Sequence, residues 1–86
     1  MDYTISKHAQ KEMDRRGISL EIVNGIVGNP GQIVEEYGQK KAYQSLIDFG
    51  PDSKYLVRVI VNDSVIPIVV VTVYRTSKVN KYWRES

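Results

Sequence analysis

The hydrophobic period of this chain changes once, at Gly28-Asn29-Pro30-Gly31, and that change constrains the fold more than any other feature. Before it, apolar residues recur at helical spacing. After it, they alternate with polar ones at the period of two that marks strands. Ser6 is placed to cap a first helix over Lys7 to Arg16, with Gly17 as its left-handed stop. Ile5, Ala9 and Met13 give that helix a thin apolar stripe. Ser19 caps a second helix, Glu21 sits in its favourable first turn, and Ile18 can staple onto Val23. Ile22, Val23, Ile26 and Val27 form its buried face, and the Gly-Asn-Pro-Gly run stops it.

Four strands follow. Ile33 to Tyr37 is the first, Lys41 to Phe49 the second, Tyr55 to Val61 the third and Val65 to Arg75 the fourth. Gly38-Gln39-Lys40, Gly50-Pro51-Asp52-Ser53 and Asn62-Asp63-Ser64 turn the chain between them. Connections this short join antiparallel neighbours. The near-continuous valines of the fourth strand predict burial on both faces, hence a central position or a face covered by the helices, with Pro67 near its start or at a bulge. Ser77 to Trp83 reads as a tail with one helical turn. The expected fold class is therefore α+β, with two N-terminal helices packed on a curled four-stranded antiparallel sheet. At 86 residues the chain makes one domain, spanning 1–86.

Several classes of function are disfavoured. No cysteine is present, so neither a disulfide framework nor a thiolate metal site is expected, and a single histidine argues against an imidazole zinc site. The longest apolar run, Val65 to Val73, is far short of the roughly 20 residues of a membrane helix. The N-terminus is polar and charged, unlike a secretory leader. A cytoplasmic protein without metal or cofactor is the expectation. Net charge is only +2, but Arg75, Lys78, Lys81 and Arg84 lie in a stretch without acids, with Tyr74, Tyr82 and Trp83 in or beside it. Cations interleaved with aromatics suit single-stranded nucleic acid, where cations meet phosphates and rings meet bases. A solvated tail with one aromatic anchor is the ordinary alternative.

The candidate chemistry begins at His8, the sole histidine, in the first turn of the first helix, with Glu12 one turn further and Arg15 beyond it. Histidine exchanges protons near neutral pH. The helix N-terminus disfavours the imidazolium and Glu12 favours it. Arg58 stands in the otherwise apolar run Leu56-Val57-Arg58-Val59-Ile60. A charge there must be paired or face a cleft. It is read either as a bidentate grip on a phosphate or as an ion pair with Glu35, Glu36 or Asp48. Glu36 is also a possible proton acceptor. Thr72 breaks the valine run and offers a hydroxyl, and Tyr74 offers a ring or a proton, though its ordinary pKa near 10 makes it a weak acid. Arg75 points away from Tyr74. Which of them shares a face with Arg58 depends on register, which a one-residue slip reverses.

Several of these words occur together in a known family. They are His8-Ala9, Arg15-Arg16-Gly17-Ile18-Ser19, Asn29-Pro30, Val57-Arg58-Val59, Val71-Thr72-Val73-Tyr74 and Tyr82-Trp83. The chain resembles the small bacterial proteins grouped as domain of unknown function 4258, which in turn look like a branch of the RelE/ParE-type toxins. The resemblance runs from about Ile5 to Trp83. It implies a fold shared with microbial ribonucleases and a catalytic set of His8, Arg58, Thr72 and Tyr74; the candidate RNA contacts beside that set are Arg15, Arg75, Lys78, Lys81, Tyr82 and Trp83. The implied function is a toxin-like, metal-independent endoribonuclease, a hydrolase cutting single-stranded RNA and neutralised by a cognate antitoxin. RelE-type toxins carry more basic residues near the sheet, so free RNA is as suitable a substrate as ribosome-bound RNA. The alternative is a non-catalytic member, which seizes a protein target as ParE-type toxins seize gyrase or serves as an interaction module.

Overall fold

The computed structural model of the protein describes residues 2–85. Both helices form where local chemistry places them. The helix α1 spans Lys7–Arg16, and the Ser6 hydroxyl accepts the Ala9 amide proton at its start. The helix α2 spans Leu20–Gly28, and Ser19 accepts from Ile22 in the same way. Each cap satisfies an amide that the helix itself leaves unbonded, and contributes about 1 kcal/mol. Gly17 closes α1 at φ 66°, donating its N–H toward the carbonyls of Asp14 and Met13. That is the left-handed conformation at which a β-carbon would be strained.

The strands follow β1 Tyr3–Ile5, β2 Gln32–Glu36, β3 Lys40–Asp48, β4 Lys54–Asn62 and β5 Ile68–Thr76, and a last helix α3 spans Val79–Tyr82. They make one sheet in the order β1-β5-β4-β3-β2. The consecutive strands β2 to β5 pair antiparallel, but β1 lies parallel to β5, with Tyr3 opposite Ile68 and Ile5 opposite Val70. The expectation of four antiparallel strands under two helices is thus corrected to a five-stranded mixed sheet with three helices. Three residues are too few to display a period of two, and Ile5 instead fell in phase with Ala9 and Met13 on the helical stripe. It ends β1, and the chain enters α1 beside β5, where the Ser6 amide bonds the Val70 carbonyl at 3.0 Å.

One face of the sheet carries α1 and α2. Ala9, Met13, Ile18, Val23, Ile26 and Val27 from the helical half pack on Tyr43, Val57, Val59, Val61, Val70 and Val73. Val70 and Val73 are three apart, which a strict period of two forbids on one face. A register shift between Ile60 and Val61 absorbs the extra residue: Ile60 pairs with Thr72 and Val61 with Val70. The strand buried on both faces is β4, where every residue from Leu56 to Val61 is buried. In β5 only Val70 and Val73 are. β5 does lie between β1 and β4 with the helices on one face, as the valine run predicts, but only Val70 and Val73 are fully buried and its other face is half-buried. No helix among the described residues is long and apolar enough to cross a membrane.

Candidate functional site

Alternation along β4 sends Val57, Val59 and Val61 to the helices, so Leu56, Arg58 and Ile60 point to the opposite face. Register then builds a polar row across that face. Gln32 on β2 stands opposite Gln44 on β3, Gln44 opposite Arg58 on β4, and Arg58 opposite Tyr74 on β5. Gln44 is fully buried and Arg58 is 3% exposed.

Burial of this kind requires every polar atom to find a partner, and the row supplies them. Arg58 Nε donates to Gln44 Oε1 at 2.7 Å and Nη1 donates to the Tyr74 hydroxyl at 2.6 Å. Nη2 pairs with the Glu36 carboxylate, at the far end of β2. Gln44 Nε2 donates to Gln32 Oε1 at 2.9 Å and to the Tyr82 carbonyl at 3.1 Å. Among the described residues no buried side-chain polar atom lacks a partner. The Tyr82 ring covers the guanidinium at 4.3 Å and meets the Tyr74 ring edge to face. Burial pushes the Tyr74 hydroxyl above its ordinary pKa, against the opposing pull of Arg58, so Tyr74 holds its proton.

The segment after β5 roofs this row. Gln32 clasps the Arg84 backbone at two points: its Oε1 accepts the Arg84 amide at 3.0 Å, and its Nε2 donates to the Arg84 carbonyl. Trp83 lies so close to Gly31 that a β-carbon at that position would sit 3.2 Å from the indole.

The residues singled out from sequence therefore divide. Arg58, Tyr74 and Tyr82 converge, and Thr72 lies two residues from Tyr74 on the same face, opposite Ile60. His8 does not join them. It is exposed on α1, whose Ala9 and Met13 pack on the helix-bearing face, so the sheet stands between it and the Arg58 guanidinium. Arg15 pairs with Glu12 at 2.8 Å on the same helix. Arg75 points to the helix side, its guanidinium 4.4 Å from the Phe49 ring and 4.8 Å from Tyr55. Lys78 and Lys81 are exposed on the roofing segment. Of the acids weighed for Arg58, Glu36 is the partner. Gln32 and Gln44 escaped notice. The available signal was phase: Gln44 falls in step with Ala42 and Leu46, a polar residue on a position flanked by apolar ones.

Among the described residues no group of three or more His, Asp or Glu side chains is arranged to hold a metal ion. No curated protein and no solved structure matches the chain. The family comparison matches residues 5–75, a span that carries Gln32, Glu36, Gln44, Arg58 and Tyr74 and stops before α3, and on that match the chain belongs to the family described as Domain of unknown function (DUF4258).

Proposed function

We propose that the protein is a toxin-like, metal-independent endoribonuclease acting on single-stranded RNA, restrained by an antitoxin, with the Arg58 row as its working centre. One observation carries the reading: a guanidinium, a carboxylate and a protonated phenol meet on one face of the sheet. These are the three parts that cleavage by the neighbouring 2′-hydroxyl needs. Glu36, whose side chain is 30% exposed, takes the 2′-hydroxyl proton once a phosphate has replaced it on Arg58. The 2′-oxygen attacks phosphorus while Arg58 stabilises the added charge. The bond from phosphorus to the 5′-oxygen breaks, and that oxygen takes the Tyr74 proton, leaving a 2′,3′-cyclic phosphate and a 5′-hydroxyl. Glu36 here occupies the role that the sequence assigned to His8. Lys78 and Lys81, exposed on the roofing segment, are the cations to meet flanking phosphates, and the resemblance to RelE/ParE-type toxins supplies the substrate class.

Incubating the purified protein with single-stranded RNA and a chelator tests this. Cyclic-phosphate products that vanish in Arg58→Ala and Glu36→Gln support it. A second reading, a non-catalytic module that binds a protein target, draws on a specific fact: Arg58 already has three side-chain partners and a ring over it. Under that reading RNA stays intact and Arg58 variants lose only stability.

A further inference from the structure

The roofing segment touches the Arg58 row through groups that a nucleotide also carries. Tyr82 presents a flat ring to the guanidinium at 4.3 Å, as a stacked base does. The Arg84 backbone presents an adjacent donor and acceptor to the Gln32 amide, as a base edge does. Beside these contacts Glu36, which belongs to β2 and not to the roofing segment, presents an anion to Nη2, as a phosphate does. The attachment rests on the Tyr82 and Trp83 rings, the two bonds to Gln32 and the bond from Gln44 Nε2 to the Tyr82 carbonyl. The helix α3 has four residues, none of them buried, and its N-terminal end makes no side-chain cap bond. Short segments without a fully buried residue open more readily than core strands. The segment also lies beyond the family match, whereas the row beneath it lies within.

We infer that Val79 to Arg84 is the internal occupant of a nucleotide-binding site, displaced when single-stranded RNA seats a base against Arg58 and Gln32 and a phosphate in the place of Glu36. This rests on the RNA reading above. It reverses the role that the sequence suggested for Tyr82, which becomes a competitor of the base and not its platform. Gln32 becomes the residue that reads the base edge.

The sign of one effect decides it. A short 2′-O-methyl RNA, which cannot be cut, is titrated against the full chain by fluorescence anisotropy. Tyr82→Ala frees the site while keeping Lys78 and Lys81, and should tighten binding roughly tenfold, the gain for a site that is closed about nine-tenths of the time. Trp83→Ala, whose ring packs at Gly31 and not on Arg58, should also tighten it and serves if Tyr82→Ala fails to fold. Adding Gln32→Leu to the release variant should abolish the gain. Equal or weaker binding by both release variants overturns the inference, and so does a gain that survives Gln32→Leu. If the unaltered protein still binds RNA through Arg58 in those cases, the RNA reading stands alone. If no variant binds RNA at all, the RNA reading fails and the inference with it.

Discussion

Removing either partner of the Arg58–Glu36 pair deletes the same contact, yet the two deletions are expected to differ in cost. The Arg58 side chain is 4% exposed and that of Glu36 30%. Glu36→Ala strands a guanidinium that water cannot reach. Breaking a buried pair this way costs about 3–5 kcal/mol, and the remaining Gln44, Tyr74 and Tyr82 contacts reduce that to about 2–4. Arg58→Met strands a carboxylate that is already partly hydrated. Its main cost is the buried Gln44 Oε1 left without a donor, about 1–3 kcal/mol. The methionine, packed between Leu56 and Ile60, recovers about 1 kcal/mol of apolar burial. The net is about 0–2 kcal/mol. Urea unfolding followed by far-ultraviolet circular dichroism reads both, because Trp83 fluorescence reports the roofing segment and not the sheet. If Arg58→Met costs as much as Glu36→Ala, the guanidinium is not the stranded charge and the asymmetry argument fails.

Three further outcomes follow from single residues. His8→Ala leaves RNA cleavage intact if Glu36 is the base; loss of cleavage in a folded His8→Ala protein would return that role to the histidine. The hydrogen bond from Arg15, with a smaller one from Arg16, holds the Glu12 carboxyl below the ordinary value of 4.5. A depressed carboxylate contributes stability above its unfolded pKa and loses it as pH falls through the folded one. The melting temperatures of wild type and Glu12→Gln should therefore differ at pH about 6 and converge toward pH about 3; a gap that persists in acid would contradict the pairing. Gly17→Ala meets no neighbouring atom, so its cost is backbone strain alone, about 1 kcal/mol, or a fall of about 4–8 °C in Tm; an unchanged Tm would show that φ 66° is not enforced there.

Much of the fold was legible because its causes are local. Ser6, Gly17 and Ser19 act within four residues of themselves, and the four strands from β2 to β5 announce themselves by alternation and by the turns between them. Arg58 was legible for the same reason: a charge among Leu56, Val57, Val59 and Ile60 must have a partner wherever the strand lies. Tertiary structure decided the rest. β1 exists because three residues dock on β5, more than sixty positions away, and no local pattern encodes a parallel partner. Gln44 and Gln32 matter only because register lines them up with Arg58, and register between strands is a property of pairing, not of either strand's own sequence. The bulge at Ile60 and Val61 shifts the phase of β5 so that Val70 and Val73 share the core. His8 stands on the other side of the sheet from Arg58 because the helices cover the face that Val57 and Val59 present. Parity along one strand tells which side chains travel together; only the packed layers tell which of the two faces they reach.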